Sequence, residues 1–326
     1  MTMKRPNAFT PLTLRAGPPI SPPAAAPALP AAPLIQPLPR HRTWRTMLLG
    51  SATFAVAGLL QGTAFAQCDT TPTTGNDSIT CNSGDIDDQT IDALAGEDTI
   101  RVFLGTSIGV SGNATISGGA DADEFNLNPF SIAQNLGSQA LISGDGGDDT
   151  ISVSGAVVGN AGSATVSGGE GADQINLNSS FLASQSGSQA QILGDAGNDT
   201  ILISSSALAP SGAATVDGGA DNDSITLTNS ASVGALGVIQ GGAGDDTIAL
   251  DNSVTWNAAA SFDGGEGTDT LQFTAAGADT IDASNFAGFE NLFKDGSDTL
   301  TLTGAHTFSS NVDIDAGTLN VAGSLT

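Results

Sequence analysis

Carboxylates held at one register of a repeating chain can bind a hard cation, and this chain carries such a register. Seven aspartates, Asp123, Asp149, Asp173, Asp199, Asp223, Asp246 and Asp269, recur every 23 to 26 residues, each at the sixth position of a glycine-rich loop. The loops open at Gly118, Gly144, Gly168, Gly194, Gly218, Gly241 and Gly264, and their eighth position is always large and apolar (Phe125, Ile151, Ile175, Ile201, Ile225, Ile248, Leu271). Every loop holds at least two carboxylates, with no basic side chain at hand to pair them. At ~4.8 Å, the spacing of neighbouring strands, two carboxylates repel by about 0.9 kcal/mol in water and several-fold more at lower dielectric. Calcium removes that repulsion, because it takes ~6–8 oxygens from carboxylates and backbone carbonyls. Glycine lets those carbonyls turn inward. The seven aspartates and the seven opening glycines are therefore the candidate ligands of Ca2+. The alternative is that each Asp only forms a turn with backbone N–H groups. Asn would serve there without repulsion, and Asn never takes the sixth position.

The elements that must position these loops are short strands. One repeat, residues 149–172, reads DTISVSGAVVGNAGSATVSGGEGA. Residues 150–153 and 164–167 alternate small polar with apolar residues, the period of a strand, and residues 155–161 could add a third short strand. A constant period with no room for crossover helices predicts an all-β chain, a right-handed parallel β-helix or β-solenoid with ~24-residue coils. An antiparallel sandwich is the alternative. A second-order repeat links residues 125–151 to 175–201, so coils alternate between two kinds. Degenerate copies of the loop stand at 95–100 and 75–79.

Charge and composition divide the 326 residues further. Six of the eight basic residues precede residue 67 and no acid does, whereas from residue 67 onward 34 acids face only Arg101 and Lys294. Such a chain repels nucleic acid and attracts cations. Eleven of its fourteen prolines fall before residue 40. A basic patch at 40–45, an apolar run at 47–60 and Ala64-Phe65-Ala66 then read as a secretory signal cut after Ala66. The long Pro-rich prefix leaves the true start codon open. Cys68 and Cys81, both beyond that cut, are expected to form a disulfide. The expected organisation is a leader over 1–66, an N-terminal cap over 67–93, Gly/Asp-rich coils over 94–275 and a distinct C-terminal segment over 276–326.

Two resemblances follow from these motifs. The loops are similar to the GGxGxDxUx nonapeptide of repeats-in-toxin (RTX) proteins, fully so at 168–176, 241–249 and 264–272. In RTX proteins two nonapeptides occupy each coil, whereas here one loop occurs per coil. Residues 286–326 resemble the passenger-associated repeat of autotransporters through F-x-N-L-x-K-x-G (Phe289, Asn291, Leu292, Lys294, Gly296), T-L-T-L-T-G (Leu300, Leu302, Gly304) and A-G-T-L-x-V (Gly317, Leu319, Val321). That resemblance implies β-helix coils, a secreted or cell-surface location at the outer membrane, and a translocator barrel, which this chain is expected not to contain. The expected role is structural or adhesive, with host or surface glycans or proteins as partners. A Ser-His-Asp triad could use only His306 after residue 66. The alternative is a calcium-dependent polysaccharide lyase with Arg101, beside Asp98, as its base; the chain is otherwise expected not to be an enzyme.

Overall fold

Alternating apolar residues after each loop build short strands whose inward side chains stack from coil to coil. The computed structural model describes Cys68 and residues 72–82, 84–103, 105–274 and 279–326. The leader and the expected cleavage at Ala66 lie outside the described residues. The chain forms an all-β parallel solenoid of about 10 turns with ~24 residues per coil, and no helix occurs among the described residues.

Each full coil has three strands. The coil from Ser163 shows the pattern: Ser163–Glu170, then the aspartate loop, Gln174–Asn178, a tight corner and Phe181–Leu182. Gln189–Ala196 then starts the next coil on top of Ser163–Glu170, in parallel and in register. The three faces are sheets of nine, eleven and seven strands. The third strand, at 157–158 in the coil read from sequence, is only two residues long. Among the described residues the strands pair in parallel, the isolated bridge between Cys68 and Cys81 alone being antiparallel, so the sandwich alternative fails.

Register makes the core a set of ladders. Phe125, Ile151, Ile175, Ile201, Ile225, Ile248 and Leu271 pair successively and are all buried. Two residues further on, Leu127, Val153, Leu177, Ile203, Leu227, Leu250 and Phe273 form a second inward row, and Lys294 continues it. Near the end of the regular coils an aromatic group fills the interior. Phe262 stacks on Phe286 at 4.8 Å, and Trp256 meets both edge-on at 5.9 and 5.6 Å. Beyond it the coils shorten, Asn291 pairing with Asn311 after a step of 20 residues. Asp279–Asp282 opens a separate three-stranded sheet with Thr299–Thr303 and Thr318–Val321. At the other end, Ser78–Cys81 and Gln89–Asp92 already pair with the following coil, and a disulfide joins Cys68 to Cys81.

Candidate metal site

The aspartate loop turns the chain from the nine-stranded sheet into the eleven-stranded one. Two of its positions need a left-handed backbone. In the 168–175 loop these are the second and fourth, Gly169 at φ +121° and Gly171 at φ +132°. Where the sequence departs from glycine there, it uses Asp: Asp145 and Asp195 at the second position, Asp121 and Asp221 at the fourth, all with φ near +75°. Among residues with a Cβ, Asp is one of the few that enters this region readily.

The opening glycines work differently from the sequence expectation. None of the seven has a left-handed φ. They are needed for space. A Cβ on Gly168 would stand 2.2 Å from Asp173 Oδ2 and 2.8 Å from the carbonyl oxygen of Gly194 in the next coil. On Gly144 the corresponding distances are 2.0 Å to Asp149 Oδ2 and 2.4 Å to Gly168 O, and on Gly218 both Asp223 Oδ2 and Gly241 O are at 2.4 Å. A carboxylate oxygen and a carbonyl oxygen from successive coils thus converge on each opening glycine.

The seven aspartates are brought together as one stack, but not on an exposed edge. Each is at most 3% exposed. Its Oδ1 accepts the backbone N–H of the aspartate one coil earlier: Asp123 N–H to Asp149 at 2.7 Å, Asp149 to Asp173 at 2.7 Å, Asp173 to Asp199 at 2.7 Å, Asp199 to Asp223 at 2.8 Å, Asp223 to Asp246 at 2.8 Å and Asp246 to Asp269 at 2.8 Å. These bonds run between coils, so they are not the local turns of the alternative reading. Each Oδ2 is buried and has no hydrogen-bond partner. A buried acceptor left unmatched is costly and calls for a physical explanation.

Electrostatics points the same way. Burial, with the like charges of neighbouring carboxylates, outweighs the amide hydrogen bond. It pushes Asp123, Asp173 and Asp269 up to about 6, and Asp149, Asp199 and Asp223 up to about 7, from an ordinary 3.8. Asp246 is raised for the same reasons.

Two rungs escaped the sequence reading. Asp98 is 2% exposed, accepts the Asp77 N–H at 2.6 Å and directs its own N–H to Asp123 at 2.7 Å. The degenerate copy at 95–100 was the available signal. At the far end Glu290 Oε2 takes the Asp269 N–H at 2.9 Å, although no loop motif marks it.

Among the described residues no three His, Cys, Asp or Glu side chains cluster as a metal site. A cation placed on the ladder would therefore have to draw on backbone oxygens as well as side-chain ones. The donors present suit a hard cation: an orphaned carboxylate oxygen and the carbonyl of the next opening glycine, with no nitrogen or sulfur. The enzymatic candidates stand apart from each other. Arg101 lies on the outer face of the eleven-stranded sheet, in register with Asn126. His306 is buried, its Nε2–H donating to Thr303 O at 2.8 Å while its ring stacks on Phe308.

Residues 292–321 match the family described as Passenger-associated-transport-repeat. No curated protein matches the chain, and no solved structure matches it. The matched repeat and the parallel solenoid together fit an autotransporter passenger, a class of protein that is secreted or surface-exposed.

Proposed function

We propose that this chain is the extracellular stalk of an autotransporter-type protein, with a structural or adhesive role, and that calcium along the aspartate ladder completes its fold. The observation that carries the calcium reading is the row of buried Oδ2 atoms without partners. Asp123, Asp149, Asp173, Asp199, Asp223, Asp246 and Asp269 would supply the carboxylate oxygens, and Gly118, Gly144, Gly168, Gly194, Gly218, Gly241 and Gly264 the backbone positions beside them. Bound calcium would supply positive charge to a buried row of like charges, which is what burial otherwise penalises. Coupling of metal to folding lets the chain remain open where calcium is scarce and close where it is abundant. The RTX-like loops support this reading, as does the absence, among the described residues, of basic partners for the ladder.

The test is far-UV circular dichroism and calcium content of the full chain during a calcium titration, with magnesium as control. A calcium-specific gain of β-structure or melting temperature, with metal retained after gel filtration, is the expected result. A folded chain that holds no calcium at millimolar calcium would overturn it. One observation favours a second reading: the raised pKa values would allow neutral carboxylic acids to stack without metal. In that case stability falls with rising pH and calcium changes nothing.

A further inference from the structure

The only cation on the outside of the described solenoid sits in a groove, and no carboxylate holds it. Arg101 and Lys294 are the only basic residues after residue 66. Lys294 is buried, with its Nζ donating to Gly296 O at 2.7 Å and Ala316 O at 2.9 Å. Arg101 is half-buried on the outer face, and its guanidinium makes one long hydrogen bond, from Nη1 to Ser78 Oγ at 3.4 Å. Among the described residues no acid forms an ion pair with it, although the chain holds 34 acids. The nearest candidate by register is Glu124, whose Oε1 accepts a bond from Asn126 Nδ2 at 2.9 Å.

Around Arg101 three successive coils form a groove of about 320 Å³, at the lower end of the ~300–1,000 Å³ of small-molecule sites. Asn126, Asn128, Ser152 and Ser154 line it with two amides and two hydroxyls, and Phe103, 46% exposed, adds a ring. Each group has a clear use. A free guanidinium pairs bidentately with a carboxylate. Amides and hydroxyls match vicinal hydroxyl groups, as both donors and acceptors. An exposed ring gives an apolar surface for the C–H face of a sugar. The surrounding negative charge disfavours an extended polyanion, so a single carboxylate placed at Arg101 is the charge this groove accepts.

We infer that the Arg101 groove is a binding site for a carboxylated sugar, with the acid on Arg101 and the hydroxyls on Asn126, Asn128, Ser152 and Ser154. The site deepens the adhesive part of the proposed function and rests on it, but it uses none of the ladder aspartates. Uronates and sialates share the required chemistry.

The experiment is isothermal titration of the full chain with methyl galacturonoside and with sialyllactose, each carrying one carboxylate, against their neutral counterparts, the methyl ester of that galacturonoside and lactose. Each is repeated on Arg101→Gln and on Asn128→Asp, which adds a like charge inside the groove. At least one acid probe is expected to bind. Its neutral counterpart should bind about ten- to a hundredfold more weakly, the worth of one charged hydrogen-bonded contact, and both variants should lose affinity by a similar factor. Which acid binds identifies the source. Binding of neither acid, equal binding of acid and neutral forms, or full affinity in both variants overturns the inference. Acid binding bridged by ladder calcium would survive Arg101→Gln, so it counts against the groove. Calcium content and melting temperature of the same samples show separately whether the calcium reading holds.

Discussion

Replacing Asp173 with Asn should stabilise the chain in chelator and shrink the stability that calcium adds. Asp173 is 1% exposed, its Oδ1 holds the Asp149 N–H, and its Oδ2 is unpartnered. Asn keeps the first acceptor and puts a donor where Oδ2 stands, beside the carbonyl of Gly194. It also removes a charge that burial penalises. The rise from 3.8 to about 6 corresponds to about 3 kcal/mol against the ionised folded form. Relaxation of the loop and water penetration on ionisation reduce that figure by about half. In chelator at about pH 8, where Asp173 is ionised in both states, Asp173→Asn should therefore stabilise the full chain by about 1.5–3 kcal/mol. In millimolar calcium the variant lacks one charged ligand. The gain that calcium confers should then shrink by at least ~1.4 kcal/mol, a tenfold loss of affinity on that rung. Urea unfolding followed by circular dichroism, in chelator and in calcium, reads both numbers. A variant no more stable than the parent in chelator would show that the buried charge is not the cost argued here. An undiminished calcium gain would remove Asp173 from the ligands.

The pH dependence of the metal-free chain should run opposite to ordinary acid denaturation. Asp123, Asp149, Asp173, Asp199, Asp223 and Asp269 are raised to about 6 or 7 from 3.8, so between those values the folded chain holds protons that the unfolded chain releases. That stability is complete below about pH 4 and is lost as pH rises through about 7; melting in chelator across this range checks it, and a melting temperature that climbs with pH would contradict it. Gly194→Ala should destabilise by about 1–3 kcal/mol, because its Cβ would lie 2.2 Å from Gly218 O and 2.3 Å from Asp199 Oδ2. Gly137→Ala, with nothing within 4 Å of the added atom, is the control for backbone strain alone. Lys294→Met removes the ammonium bonds to Gly296 O and Ala316 O and should cost about 1.5–3 kcal/mol. Hydrogen exchange should quicken over 311–326 and stay unchanged over 99–274; uniform protection in both segments would mean that the lysine is not the tether.

Periodicity alone determined much of this protein. The aspartate recurring every 23 to 26 residues, followed two positions on by an apolar residue, specified stacked coils, because a strand buried on one face must present its apolar residues at a fixed register. The short third strand was legible for the same reason, whereas the C-terminal coils, where the loop spacing breaks after Asp269, were marked only by their resemblance to the passenger-associated repeat. The role of the opening glycines was not, since only the stacked coils bring Asp173 Oδ2 and Gly194 O against Gly168. Nor could spacing reveal that the aspartates are buried and bonded to the coil before them, which depends on how far the loop corner folds inward. Glu290 joins the ladder without a motif because its place follows from the shortened coil, and Lys294 falls in an apolar row because pairing with Phe273 puts it there. Local sequence chose the strands and the turns. Contacts between residues more than twenty positions apart decided which oxygens are left without partners, and these define the candidate metal site.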